Sequence, residues 1–303
     1  MSMPARVQIV EVGPRDGLQN EPARVPTSEK IAFVNRLADA GHSMIEVSAF
    51  VSPKWVPQMA DASEVFAGIT RRPGVRYTAL VPNLTGLGRA REAGVDEIAI
   101  FPAASETFSK RNINQTVAEA MDTAQTVCAG ALSTGLRVRG YLSTAFGCPF
   151  EGAVPARRVI DLTARLLDMG AYEVSLSDTI GIAHPRQVSE LLREMTARVP
   201  VRQIALHFHD TRGTALVNVY AGLDAGVTTF DASAGGLGGC PYAPGATGNL
   251  ATEDLVYMLD GLGIATGTRL DGIMEASRAI EPHVGHPLPS RVFRAVEAGR
   301  STK

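Results

Sequence analysis

Cysteine is scarce in this chain. Cys128, Cys148 and Cys240 are spread through 303 positions, too few and too scattered for a disulfide framework or a cysteine-rich zinc site. A reduced, intracellular setting is the expectation. Long apolar runs are missing too, and no stretch approaches the ~20 residues that a transmembrane helix requires. Nor is there a basic run or stripe. Lys and Arg number 29 against 31 Asp and Glu, a formal net charge of −2. That balance argues against a nucleic-acid or anionic-membrane partner. The apolar alternation VQIVEV begins at Val7, so no signal or transit segment is expected. The terminal STK matches no address tail. No Pro/Ser-rich linker or charge run divides the sequence.

What is present is apolar material enough for a large core, 45% hydrophobic against 20% charged. Within it one unit recurs: an amphipathic helical stretch, a glycine, then a short β-type run. It reads as LADAGHSMIEV, AREAGVDEIAI, LSTGLRVRGYL, LLDMGAYEVSL and GLDAGVTTFDA. The glycine suits the left-handed position that closes a helix. With VQIVEV, VRYTAL and IALHF added, there are eight strand candidates with helical stretches between them. Alternating units of this number predict an α/β fold, a (β/α)8 TIM barrel, over a doubly wound open sheet. Residues from about 269 onward fit no further unit. The expectation is a barrel over 1–268 and an appended C-terminal helical segment over 269–303 that packs on it.

In such barrels the chemistry sits where strands end, and the stretch LHFHDTRG is the most informative. Residues i and i+2 of a strand share a face, so His207 and His209 project the same way. Strand one ends in EVGPRDGLQNE and strand eight leads into a loop holding Asn249. Barrel closure makes strands one, seven and eight neighbours, so Asp16, His207, His209 and Asn249 converge on one side of the rim. Two nitrogens and two oxygens suit a divalent ion such as Mg²⁺ or Mn²⁺. Glu46 lies inside a strand, where a lone carboxylate is costly unless paired or functional. Asp178 and Thr179 end strand six, and Asp178 reads either as chemistry or as a cap for the following helix. Arg15 is placed to meet substrate or is a surface cation. Cys240 is a packing residue or part of a mobile lid, which its glycine-rich surroundings favour. Cys128 reads as core. His42, His184, His283 and His286 have no convergent partners, and HVGH lies outside the rim.

EVGPRDGLQNE, SAFVSPKWVPQMAD, SLSDTIG, HFHDTRG and GLGGCPYAPGATGNLATEDLVYMLDGLG, taken in order, resemble the 3-hydroxy-3-methylglutaryl-CoA lyase family. The likeness runs from about residue 7 to 265, whereas the wider group of metal-dependent barrel lyases and synthases shares only the RDG turn and the HxH pair. The resemblance implies a divalent-metal enzyme that splits 3-hydroxy-3-methylglutaryl-CoA into acetyl-CoA and acetoacetate. It places metal ligands on Asp16, His207, His209 and Asn249, and catalytic residues on Arg15, Glu46, Asp178, His207 and Cys240. Asp178 or His207 is then the general base, Glu46 an orienter or relay, Arg15 the partner of the thioester oxygen and Cys240 the acid. Arg15, Gln19 and Thr179 are expected on substrate. Lys110 and Arg111 are expected on the phosphates of an acyl-CoA, with solvated surface charge the equal alternative.

Phe208 stands where some members carry cysteine and should face away from the metal. Ser177 stands where some carry glycine. The leader and cysteine-bearing tail of the animal enzymes are not seen, so a cytoplasmic enzyme of bacterial type is expected, with a homodimer as one possible assembly. Among rivals, a lyase for a longer 3-hydroxy-3-alkylglutaryl-CoA would carry the same motifs. A condensing synthase is disfavoured by RDGLQ in place of RDGEQ and by the lack of a regulatory domain. A metal-dependent hydrolase would carry further histidines on middle strands. A non-catalytic binding barrel would have no use for acid, base, ligands and lid together.

Overall fold

In the computed structural model, residues 3–239 and 248–301 are described. Eight parallel strands close into a barrel in sequence order. The first half runs β1 (Gln8–Glu11), α1 (Thr27–Asp39), β2 (Met44–Ala49), α2 (Ala62–Gly68), β3 (Arg76–Leu80), α3 (Leu84–Glu92) and β4 (Glu97–Ile100). Two helices, α4 (Glu106–Ile113) and α5 (Val117–Leu132), precede β5 (Arg137–Leu142). Then come α6 (Ala156–Asp168), β6 (Val174–Asp178), α7 (Pro185–Met195), β7 (Ile204–Phe208), α8 (Ala215–Asp224), β8 (Thr229–Ala232) and α9 (Thr252–Gly261). All eight strands anticipated from the sequence form, and the barrel is closed by β1 pairing with β8 along Gln8↔Thr229 to Glu11↔Ala232.

The recurring glycines do what their position requires. Gly41, Gly94, Gly135, Gly170 and Gly226 all have positive φ, the conformation that ends a helix and that a Cβ disfavours. Between them the helices bury one stripe each: Val159, Leu162 and Leu166 in α6, and Val188, Leu191, Leu192 and Met195 in α7. The main core lies between these stripes and the outer faces of the strands, where Ile45, Ile98, Val138, Leu176, Leu206 and Phe230 are buried. The barrel interior is different. It holds a small apolar cluster of Val10, Val12 and Met44, with Glu46, Arg139, Ser175, Asp231 and His207 buried. Buried charge is costly unless paired, and that pairing shapes the site below.

Two helices, α10 (Leu270–Val284) and α11 (Arg291–Ser301), follow the barrel. The first packs on α1 and the second on α9. Asp254 of α9 ties α11 down by accepting from Ser290 Oγ and the backbone N–H groups of Arg291 and Val292. Among the described residues no helix is long and apolar enough to cross a membrane.

Candidate metal and active site

The turn after β1, Gly13–Gly17, is a single wide, π-type helical turn with Pro14 near its start. It places Asp16 over the rim. His207 is the last inward-facing residue of β7, and His209 follows just beyond the strand on the same side, their rings 5.1 Å apart. Phe208 between them points outward into the core, its ring 5.7 Å from that of Phe146, as the alternation of a strand demands. Ligand atoms of Asp16, His207 and His209 lie within 4.8 Å of one another.

Asn249 arrives from the far side of the β8 loop. The backbone of Leu250 donates to Phe208 O and that of Asp210 to Gly248 O, which lays 248–250 beside the end of β7. Asn249 Nδ2 donates to Asp16 Oδ2 at 2.9 Å and to Leu237 O at 3.0 Å. That leaves Asn249 Oδ1 buried without a hydrogen-bond partner among the described residues, and His209 Nδ1 likewise. An orphaned buried oxygen beside a carboxylate and two imidazoles is what a divalent cation would satisfy, so the residues present fit the ion expected from the sequence. Gly248 makes the approach possible. Its φ is 101°, and a Cβ there would collide with Gly236 O.

Charge in the cluster is arranged for a cation. Burial acts to raise Asp16, but the charge of Arg15, with those of His207 and His209, holds it well below the usual carboxylate range. Burial, with the charge of His207, pushes His209 down to about 4, so its imidazole is neutral and able to ligate at neutral pH. His207 resists burial and is raised, chiefly by its hydrogen bond to Asp231 and the charge of Asp16.

Arg15 is buried and held at two of its three nitrogens. Its Nε donates to Glu46 Oε2 and one terminal nitrogen to Asp16 Oδ1, each at 2.5 Å, and its guanidinium lies 5.6 Å from the centre of the Tyr141 ring. It is no surface cation. Glu46, costly inside β2 if alone, is paired by Arg15. Asp178 accepts from the backbone N–H groups of Ile182 and Ala183, both at 3.0 Å. It therefore ties down the segment before α7 without capping that helix, whose N-cap is His184, and burial pushes it up to about 6. Thr179 Oγ1 accepts from Thr144 N at 2.8 Å, linking the β6 and β5 loops. Gln19 lies half-buried just beyond the RDG turn. Lys110 and Arg111 are exposed in the last turn of α4, outside the metal cluster, with Arg111 stacked 4.1 Å from the centre of the Phe150 ring. Cys240 lies outside the described residues. Cys128 is buried in the core, as read from the sequence.

The remaining histidines stay out of the cluster. His42 lies 3.5 Å from Glu11, His283 3.4 Å from Glu29 and His286 2.7 Å from Glu21, while His184 caps α7. The two histidines of HVGH thus face different carboxylates.

Sequence reasoning missed Asp231, Ser175, Arg139 and Tyr141. The criterion applied to Glu46, a carboxylate inside a strand, applies equally to Asp231 in TTFDA. The i, i+2 rule that joined the histidines also joins Arg139 and Tyr141 on the inner face of β5.

Comparison with known proteins gives the family. The HMGL-like family profile matches residues 6–280. Hydroxymethylglutaryl-CoA lyase YngG of Bacillus subtilis is 52% identical over 291 residues, 96% of this chain and 97% of that protein. The 3-hydroxy-3-isohexenylglutaryl-CoA/hydroxy-methylglutaryl-CoA lyase of Pseudomonas aeruginosa is 49% identical, covering 98% of this chain and 99% of its own. A solved HMG-CoA lyase from Acinetobacter baumannii, in complex with coenzyme A and 3-methylmalate, superposes with a TM-score of 0.92 at 41% identity, covering 97% of this chain and 96% of its own. On a profile match across most of its length, this chain belongs to the HMGL-like family.

Proposed function

We propose that this protein cleaves 3-hydroxy-3-methylglutaryl-CoA into acetyl-CoA and acetoacetate, using Mg²⁺ or Mn²⁺ held by Asp16, His207, His209 and Asn249. One observation carries the reading: a cation-shaped donor cluster, with Asn249 Oδ1 unpartnered among the described residues, shares a carboxylate with a buried arginine. The family membership supplies the substrate class, and the coenzyme A held by the Acinetobacter relative supports an acyl-CoA. A cytoplasmic setting fits the scarcity of cysteine.

The reaction needs three things. The tertiary alcohol must give up its proton, the C2–C3 bond must break, and the resulting thioester enolate must be protonated on carbon. A divalent ion in this site supplies Lewis acidity for the first and a fixed pose for the substrate oxygens. His207 Nδ1 is turned to Asp231 at 3.3 Å and its Nε2 is the nitrogen proposed for the metal, so the alcohol proton is assigned to Asp178. Its carboxylate has acceptor capacity beyond two backbone N–H groups, and its pKa of about 6 suits a base at neutral pH. Arg15 stabilises the charge that grows on the thioester oxygen, clamped at Nε and one terminal nitrogen by Glu46 and Asp16. Cys240 gives its thiol proton to the enolate carbon, and the thiolate left behind is reprotonated as Asp178 releases the alcohol proton, which resets both groups. Thr179 and Gln19 contact substrate at the mouth, and Lys110 and Arg111 meet the phosphates of CoA.

The deciding experiment is a cleavage assay. Chelator-treated protein is mixed with 3-hydroxy-3-methylglutaryl-CoA, with and without added Mg²⁺ or Mn²⁺, and acetoacetate is followed. Metal-restored acetoacetate formation is expected. No acetoacetate with either ion rejects the assignment.

A further inference from the structure

Asp231 sits in β8 side by side with His207 of β7 in the parallel register. It is fully buried, and three groups converge on it. Oδ1 accepts from Arg139 at 2.8 Å, Oδ2 accepts from Ser175 Oγ at 2.8 Å, and Oδ2 lies 3.3 Å from His207 Nδ1. Arg139 is itself braced, its Nε donating to Glu173 at 2.8 Å. Arg139, Ser175 and Glu173 take no part in the chemistry proposed above, and Asp231 enters it only as the neighbour of His207 Nδ1. An ionised carboxylate only accepts, so the proton between Asp231 and His207 belongs to Nδ1. Nε2, 3.8 Å from Asp16 Oδ2, then presents its lone pair to the cluster. The two histidines differ here, because His209 Nδ1 is buried with no hydrogen-bond partner among the described residues.

We infer that Asp231, anchored by Arg139 and Ser175, is a positioning residue that fixes His207 in its Nδ1–H tautomer and aims Nε2 at the divalent cation, while His209 ligates without such backing. Carboxylates behind metal-bound histidines act in this way generally, and their loss typically weakens metal binding about 10–100-fold. The inference rests on the metal site proposed above. The alternative is that Asp231 merely neutralises Arg139, a role that would leave the imidazole indifferent to it.

Two measurements decide. Long-range ¹H–¹⁵N spectra of the Mg²⁺-loaded protein should show His207 protonated at Nδ1 and bare at Nε2; a proton on Nε2 overturns the inference. Mn²⁺ titration, following the signal of the free ion by electron paramagnetic resonance, should show Asp231→Asn binding about 10–100-fold more weakly than the parent. Asp16→Ala is the reference. If Asp16→Ala still binds Mn²⁺ as tightly as the parent, the metal site itself is misassigned. If Asp16→Ala loses Mn²⁺ while Asp231→Asn binds like the parent, the site stands and the role given to Asp231 falls. Should Asp231→Asn fail to fold, Ser175→Ala keeps every charge and removes one anchor; a several-fold loss of Mn²⁺ affinity supports the inference, and none overturns it.

Discussion

At the scale of single residues, the cluster is held together by sharing. Asp16 serves Arg15 through one oxygen and Asn249 through the other, so the arginine proposed to meet substrate and the proposed metal ligands are braced by one side chain. Arg15→Met keeps length and apolar stem but removes the charge proposed to meet the developing oxyanion. Turnover should fall by about 10²–10³-fold with a much smaller rise in KM; a change confined to KM would make Arg15 a binding group only. Cys240→Ala tests the acid in the same way. Turnover should drop sharply while Mn²⁺ affinity stays at the parent value, and unchanged turnover removes Cys240 from the mechanism.

At the scale of elements, the loop after β8 is where small backbone errors reach the site. Gly248 lies at φ 101° with carbonyl oxygens of Gly236 and Gly238 where a Cβ would go. Its neighbour is Asn249. Gly248→Ala should cost about 1–3 kcal/mol for the backbone conformation alone, lowering Tm by several degrees at roughly 2–4 °C per kcal/mol. It should also weaken Mn²⁺ binding through Asn249. Gly261, in the last turn of α9 with nothing near its Cβ position, is the matched control, and Gly261→Ala should leave both quantities unchanged or raise Tm slightly. Equal behaviour of the two variants would refute the role of the close approach.

At the scale of the whole molecule, a buried carboxyl joins the barrel's first and last units. Glu11 of β1 accepts from Gly13 N, Ala234 N and Thr252 Oγ1 at 2.8, 2.9 and 2.7 Å, pinning the RDG turn, the β8 loop and α9 together. Burial pushes its pKa from 4.5 up to about 8, against the pull of those hydrogen bonds. The unfolded chain releases this proton near the ordinary value while the folded chain keeps it. Between about 4.5 and about 8 the folded state therefore binds more protons, and stability falls as pH rises through the window. Glu253, which receives Gly235 N and is pushed up to about 7 by burial, acts with the same sign. Urea midpoints measured across this range with chelator present should decline with pH, and Glu11→Gln should show a shallower decline. Identical slopes would place the titrating proton elsewhere.

The strands, their order and most of the donors were legible because they follow local rules. Period-2 runs, helix-closing glycines and the shared face of His207 and His209 depend on neighbours a few residues apart. Barrel closure then brings the ends of β1, β7 and β8 together with no further information. Three things needed the folded chain. Asp231 against His207, Arg139 across the barrel interior and Ser175 behind both are partnerships between residues far apart in sequence, set by strand register. Which backbone groups Asp178 meets, those of Ile182 and Ala183, depends on the path of the loop after β6. The rescue of Glu46 by Arg15 depends on where the turn after β1 happens to point. Side-chain partnership inside a closed barrel is a matter of register and facing, and neither is written in any single stretch of the chain.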